Sequence, residues 1–270
     1  MGQAICITWA DPMPKTRLDT LLTERGLVPS RTAAATAIRA GEVRIGRGGE
    51  KDLKPGQMVA DDIRVELEGG PRYVSRGGLK LEAALDEFAI DPGGRDCLDV
   101  GASTGGFTDC LLQRGAARVA AVDVGRGQLD WSLRNDERVT VMEGVNARGL
   151  DPAELPFRPS LAVVDVSFIS LAKVLGPVGD AMTEDGEVLA MVKPQFELGR
   201  GRVGKGVVRE VEDRREAVGN VIAAAGALGL GARGIAAAGV PGPKGNQEYF
   251  VRFGTGEGTL GASAIEEAVR

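Results

Sequence analysis

The sequence contains no histidine. That absence removes Ser-His-Asp and Cys-His catalysis, histidine-ligated metals and a histidine general base, leaving Lys, Asp, Glu, Tyr and Cys for any acid–base work. Cysteine is scarce: three residues, Cys6, Cys97 and Cys110, an odd count without a CxxC spacing. Neither a disulfide framework nor a metal site is expected, and a reducing cytoplasm fits. Aromatic residues are 4% of the chain, too few to supply a base-stacking sheet. No apolar run reaches the ~20 residues of a membrane span, so no membrane partner is expected. Residues 1–14 carry Asp11, Pro12 and Pro14 and lack the basic and apolar regions of a secretory signal; they read as a loose leader.

What is present is an ordinary globular composition. Of 270 residues, 43% are hydrophobic and 26% charged, enough for a sizeable core in one large domain with a smaller companion. The net charge of −5 conceals an asymmetry. Between Lys15 and Lys54 stand nine basic residues (Lys15, Arg17, Arg25, Arg31, Arg39, Arg44, Arg47, Lys51, Lys54) against five acidic ones, a local net of +4. Arg72, Arg76 and Lys80 add a second basic run. An acidic protein that gathers positive charge in one segment can bind a polyanion there, although a solvated basic helix reads the same way on charge alone.

Hydrophobic spacing divides the chain. Residues 15–70 read as a small module. A helix beginning at Arg17-Leu18-Asp19 places Leu18, Leu21 and Leu22 on one face and ends at Gly26. A second is N-capped by Ser30, buries Ala33, Ala34, Ala37 and Ile38, and stops at Gly41. Val43–Ile45 and Ile63–Leu67 alternate like short strands. Gly69-Gly70-Pro71 punctuates the boundary, 71–78 reads as a basic linker, and a helix over Leu79–Phe88 turns Leu79, Ala83 and Ala84 to one side.

From residue 79 to 270, and clearly from residue 95, strands alternate with helices. The strand candidates are Asp96–Val100, Arg118–Val124, Val139–Glu143, Leu161–Val166, Glu187–Val192, Gly234–Val240 and Glu248–Phe253. Helical patterns cover Thr108–Arg114, Gln128–Arg134, Leu171–Met182 and Val211–Leu228. This is the signature of a doubly wound, mainly parallel α/β sheet. The Pro241–Gly245 turn is too short for a parallel crossover, so the last strand is predicted antiparallel.

Ligands of such sheets bind outside the carboxyl ends of the strands. Those ends carry Asp99 and the turn Gly101-Ala102-Ser103-Thr104-Gly105-Gly106-Phe107, then Asp123, then Glu143, Gly144 and Asn146, then Asp165, then Lys193. Glu248 begins the reversed strand and so reaches the same edge. Asp123, 22 positions after Gly101, is placed to accept hydrogen bonds from ribose hydroxyls. The turn reads GxxxGG behind a carboxylate rather than GxGxxG, and Asp99 would repel a pyrophosphate but suit a cationic sulfonium or amino group. The expected cofactor is therefore S-adenosylmethionine rather than NAD. Lys193, following a buried run and preceding a proline, should project into the cleft toward Asp165 and Glu248. The bland alternative is a structural salt bridge.

DVGASTGGFT, VDVG, VVDVSFISL, MVKPQFE and NQEYF together resemble the FtsJ-like ribose 2′-O-methyltransferases. RLDTLLTERGLVPSRTAAATAIRAGEVRI resembles an S4 RNA-binding domain. With SRGGLKLEAAL, the combination over residues 15–270 resembles the TlyA family, whose members are known both as haemolysins and as rRNA cytidine-2′-O-methyltransferases. One departure is Gly46-Arg47 where the family often has an Asn-Gly turn. The resemblance implies a Rossmann-like class I methyltransferase fold with a seven-stranded sheet and a catalytic tetrad of Lys80, Asp165, Lys193 and Glu248. It also implies cofactor contacts from Gly101, Ser103, Gly105, Gly106, Phe107, Asp123 and Asn146; Asp99, Thr104 and Asp165, at the same strand ends, are expected to join them. Arg17, Arg25, Ser30, Arg31, Arg39, Arg72 and Arg76 would face RNA. The partner would be ribosomal RNA or a ribosomal subunit, in the cytoplasm; the oligomeric state is open, with a monomer favoured. The other classes to weigh are a small-molecule O-methyltransferase, a pore-forming haemolysin and an inactive RNA-binding protein.

Overall fold

The computed structural model describes residues 14–28, 30–46, 48–50, 52–67, 72–199, 202–203 and 206–270. The leader up to residue 13, Arg47 and the Gly69-Gly70-Pro71 boundary lie outside them. The chain divides into two compact units, Met1–Arg72 and Tyr73–Arg270.

In the first unit, strand β1 (Lys15–Arg17) leads into helix α1 (Leu18–Glu24), followed by helix α2 (Arg31–Arg39) and strands β2 (Val43–Ile45), β3 (Met58–Ala60) and β4 (Val65–Leu67). Ser30 caps α2 as expected, its Oγ accepting from Ala33 N at 3.2 Å. Leu18, Leu21, Leu22, Ala34, Ala37 and Ile38 meet Val28, Val43, Ile45, Leu53 and Val59 in one core, and each fully buried leucine contributes about 1.5–3 kcal/mol. Ala33 is only partly buried. The antiparallel β1–β3 pairing was not expected from the sequence, because three-residue strands carry too little alternation to register. Ile63 lies before β4 rather than in it; its N–H closes a turn onto Ala60 O.

The second unit opens with helix α3 (Arg76–Glu87) and then alternates strand and helix. Its strands are β5 (Asp96–Val100), β6 (Arg118–Asp123), β7 (Val139–Glu143), β8 (Leu161–Val164), β9 (Glu187–Val192), β10 (Leu230–Ala237) and β11 (Tyr249–Thr255). They form a seven-stranded sheet in the order β10-β11-β9-β8-β5-β6-β7. Strands β9, β8, β5, β6 and β7 are mutually parallel, and β11 runs antiparallel to both of its neighbours, as the short preceding turn requires. Helices α4 (Gly106–Gln113), α5 (Trp131–Arg134), α6 (Leu175–Ala181), α7 (Pro194–Glu197), α8 (Val211–Ala227) and α9 (Ala262–Ala268) complete the unit. Strand residues alternate between two cores. Leu98, Val100, Val122 and Val164 enter one, Cys97, Ala121 and Val163 the other, so both faces of the sheet are covered.

Several boundaries move for physical reasons. Helix α3 starts at Arg76, not Leu79, because Ser75 caps it by accepting from Gly77 N at 3.3 Å; the last residues of the expected linker are therefore helical. The register correction follows: Leu79 and Ala83 are exposed, while Gly78, Lys80, Leu81, Ala84 and Leu85 face inward. The expected Leu171–Met182 helix breaks into a 3-10 turn (Leu171–Lys173) and α6, since Pro177 has no N–H to give and is accommodated only in a first turn. Strand β10 begins four residues earlier than the spacing implied, at Leu230, and a bulge between Ala232 and Gly234 explains the lost alternation. Among the described residues, no helix is long and apolar enough to cross a membrane.

Candidate active site

Two adjoining cavities open at the carboxyl edge of the sheet. The larger, about 810 Å³, is lined by Gly101, Ser103, Asp123, Asn146, Asp165 and Phe168 among others. The smaller, about 270 Å³, is lined by Ser75, Arg76, Gly77, Lys80, Gly101–Thr104, Gly106, Phe107, Asp165, Lys193 and Glu248.

The loop after β5 forms the wall between them. Gly101 has φ +88°, and a Cβ there would lie 2.4 Å from the carbonyl oxygen of Asp165, so glycine lets the ends of β5 and β8 touch. Ser103 is also in the left-handed region (φ +49°), and its N–H donates to Asp123 Oδ2 at 2.7 Å. Asp123 Oδ1 accepts from Gly125 N at 2.7 Å, which fixes the carboxylate at the cavity wall. Asn146 ends the turn after β7, accepting from Arg148 N at 3.1 Å. Strain held at such positions is a mark of functional loops.

Two charged pairs occupy the smaller cavity. Lys80 Nζ donates to Glu248 Oε2 at 2.6 Å, and Lys193 Nζ lies 2.5 Å from Asp165 Oδ1. Lys193 Nζ also donates to Ser167 Oγ at 2.9 Å. Lys80 and Lys193 are each 8% exposed and Glu248 1%. Desolvating charges this far roughly cancels their mutual attraction, so such pairs are poor devices for stability, and a cleft that keeps two of them is a functional-site candidate. Glu248 Oε1 and Asp165 Oδ1, one from each pair, are buried without a hydrogen-bond partner among the described residues.

Close backbone packing sets Lys80 in place. A Cβ on Gly78 would fall 2.2 Å from Tyr73 Cγ, and one on Gly106 2.1 Å from Ser75 Oγ. The glycines of SRGG and STGG thus let the first turns of α3 and α4 meet, and Lys80, one turn into α3, turns toward the sheet. Gly242 does the same for Glu248, whose Oε1 would be 2.1 Å from a Cβ there.

The expected cofactor residues divide. Gly101, Ser103, Asp123, Asn146 and Asp165 line the larger cavity; Thr104, Gly106 and Phe107 line the smaller. Asp99 and Gly105 line neither. Asp99 shares a sheet face with Cys97, the face that α4 covers, and is fully buried there with Thr108 Oγ1 donating to its Oδ2 at 2.7 Å. Burial pushes its carboxyl up to about 7. The expectation that Asp99 confronts a cationic ligand is therefore corrected. Gly105 is structural: it caps α4 at φ +97°, where a Cβ would strike Leu133 and Leu129. Cys97 and Cys110 are buried with thiols raised to about 12 and about 11, which leaves neither a nucleophile near neutral pH.

The basic candidates of the first unit also divide. Arg17 Nη2 and Arg31 Nη2 lie 2.7 and 3.4 Å from Asp19 Oδ2, a buried carboxyl held well below its usual range chiefly by the Arg17 hydrogen bond. Arg25 is committed to the fold, donating to the carbonyls of Ile63 at 2.7 Å and Asp61 at 2.5 Å. Arg39 is exposed in the last turn of α2. In the second unit Arg76 is exposed and lines the smaller cavity; Arg72 is exposed at the end of the first.

Comparison with known proteins decides the family. Residues 73–255 match the FtsJ-like methyltransferase family, and residues 16–48 match the S4 domain. The chain belongs to the FtsJ-like methyltransferase family. It is 48% identical to the 16S/23S rRNA (cytidine-2′-O)-methyltransferase TlyA of Mycobacterium tuberculosis, over 94% of this chain and 96% of that protein. It is 38% identical to Hemolysin A of Brachyspira hyodysenteriae, over 88% of this chain and 99% of the relative. A solved structure described as a candidate hemolysin from Streptococcus thermophilus superposes with a TM-score of 0.73 at 41% identity, covering 96% of this chain and 95% of that one. An FtsJ-like methyltransferase with an S4 domain at its N-terminus accounts for the two units.

The sequence reading missed Ser167, Phe168 and Glu197. Phe168 has φ +65° and is 90% exposed at the cavity, and its ring lies 5.0 Å from that of Phe196. The signal available was the polar Ser167 between strand-end Asp165 and the apolar Phe168-Ile169, a departure from the buried pattern of β8.

Proposed function

We propose that this chain transfers a methyl group from S-adenosylmethionine to the 2′-hydroxyl of a cytidine in ribosomal RNA. One observation carries the reading: two lysines and two carboxylates, from α3 and from three strand ends, line a single small cavity beside the Asp123–Asn146 wall. The larger cavity fits the cofactor: carboxylate acceptor Asp123 suits ribose hydroxyls, and Gly101 keeps open a wall that a Cβ would disrupt. When bound, S-adenosylmethionine supplies an electrophilic methyl group.

The chain's own residues then have separable tasks. As an ammonium, Lys193 has three N–H bonds: one donates to Ser167 Oγ, the charge lies against the Asp165 carboxylate, and a third N–H can turn to a ribose oxygen. There it orients the hydroxyl and stabilises the negative charge that gathers as the O–H proton passes to solvent water. Glu248 holds Lys80 from the opposite side of the cavity. The exposed arginines of the S4 unit supply phosphate contacts that draw RNA to the surface without reading its sequence. The close relative's assignment as a cytidine-2′-O-methyltransferase supports the choice of nucleotide.

The test is transfer of labelled methyl from S-adenosylmethionine to ribosomal subunits purified from cells lacking the protein, followed by mapping of blocked 2′-hydroxyls. The expected result is stoichiometric labelling at cytidine. Equal transfer to free cytidine or to a small phenol would move the enzyme to the small-molecule class.

A further inference from the structure

Two segments carry the Lys193–Asp165 pair, and they are fastened to each other along their length. One runs from Asp165 at the end of β8 to Leu171. The other runs from Lys193 through the single-turn helix α7 to Glu197. Contacts succeed one another in order along both. Asp165 and Ser167 hold Lys193 at 2.5 and 2.9 Å, and Phe168 packs on Phe196 with ring centroids 5.0 Å apart. At the far end Ser170 Oγ donates to Glu197 Oε2 at 2.6 Å and Leu171 N donates to Oε1 at 2.9 Å. The methyl-transfer step uses the first contacts and leaves the last unexplained.

Glu197 is half-buried and forms no ion pair among the described residues; its contacts are these neutral donors. Burial raises its carboxyl, and the two hydrogen bonds oppose that. A carboxylate kept in such a place at the cost of desolvation, with both oxygens spent on one short segment, has the form of a clamp. The segment needs one: Phe168 is in the left-handed region, a conformation that persists only where the surroundings enforce it.

We propose that Glu197 is a positioning residue for Lys193: by gripping Ser170 and Leu171 it holds Ser167 and Asp165 in register with the ammonium. The proposal rests on the methyl-transfer reading, since it concerns the aim of Lys193's third N–H. Ser103 and Asp123 lie on other strand ends, whereas the clamped segment from Asp165 to Ser170 borders the larger cavity only on one side, so loss of the clamp should lower turnover more than it weakens cofactor binding. Misplacing a reacting group by about 1 Å lowers turnover by about 10²-fold.

The test compares the full-length parent with Glu197→Ala, Glu197→Gln and Ser170→Ala, using purified ribosomal subunits and S-adenosylmethionine. In Glu197→Ala we expect kcat about 10- to 100-fold lower, with KM for RNA within about twofold and KM for cofactor raised by much less than kcat falls. Glu197→Gln, which can accept from Leu171 N and donate to Ser170 Oγ, should recover to within about threefold of the parent, and Ser170→Ala should fall between. Hydrogen exchange of the 165–171 peptide should quicken in Glu197→Ala while peptides of β5 and α4 keep their rates. Unchanged kcat or unchanged 165–171 exchange in Glu197→Ala overturns the proposal. So does a rise in cofactor KM as large as the fall in kcat, in step with a lowered melting temperature, which marks a general structural role. If the parent itself transfers no methyl group to RNA, the functional reading fails, and the exchange comparison still decides whether Glu197 holds the segment.

Discussion

The two units manage charge in opposite ways. Among the described residues, the N-terminal unit leaves Arg17, Arg25, Arg31 and Arg39 exposed and buries the carboxylate of Asp19, which gathers Arg17 and Arg31. The C-terminal unit draws two lysines and two carboxylates into a cavity. Exposed charge acts at a distance and is screened by salt, so it suits encounter with a polyanion. Buried charge is costly, directional and little screened, so it suits holding one atom in one place. Under the proposed function, the same residue types would serve affinity in one unit and geometry in the other.

That contrast can be broken by experiment. The largest effect should come from Lys193→Ala, which removes the cavity's central donor: methyl transfer should fall by about 10²- to 10³-fold or more, while cofactor affinity measured by calorimetry stays within about twofold. Near-normal turnover would empty the comparison of its catalytic half. Next, Gly101→Ala should destabilise the C-terminal unit by about 2–5 kcal/mol, since an alanine there meets both a positive φ and the Asp165 carbonyl; urea midpoints at constant m would measure it. A smaller and separate effect is expected from Arg31→Ala combined with Arg39→Ala. RNA affinity should weaken, and the slope of log affinity against log salt should drop by about one for each phosphate that goes unneutralised, with cofactor affinity unchanged. An unaltered salt slope would remove the N-terminal half of the contrast.

The smallest effect sharpens the rule that buried charge serves geometry. Asp99 is buried without facing either cavity, and its carboxyl titrates near 7 in the folded protein, above its value of 3.8 in a free chain. A raised acid contributes stability that is fully present below the unfolded value and is lost as pH rises through the folded one. Between pH 6 and 8 this should cost the parent about 1 kcal/mol relative to Asp99→Asn, which has no proton to lose. Parallel stability profiles of the two proteins over that range would refute the assignment.

Much of the fold was legible because long elements repeat their signal. Near-continuous Val, Leu and Ala runs marked β6, β8 and β9, and the short turn before β11 fixed its reversed direction. Short pieces were not legible: β1 and β3 offer three residues each, and α7 a single turn. The start of α3 was misplaced because a serine followed by Arg-Gly-Gly reads as linker, whereas in the fold Ser75 caps the helix and both glycines pack against α4 and Tyr73.

By itself the sequence determined which chemistry is available: no histidine, a glycine turn, and acids and lysines at the ends of strands. Periodicity and turn length, both local properties, also determined that those ends share one edge. Tertiary structure decided which groups meet. Lys80 and Glu248 stand far apart in the chain and touch only because α3 and the reversed β11 converge on one cavity. Asp99 and Asp123 look alike at strand ends, yet the first turns under α4 and the second into the cleft. Ser167 and Glu197 acquire partners only when two loops are laid side by side. Contacts between distant segments depend on packing, and no local spacing encodes them.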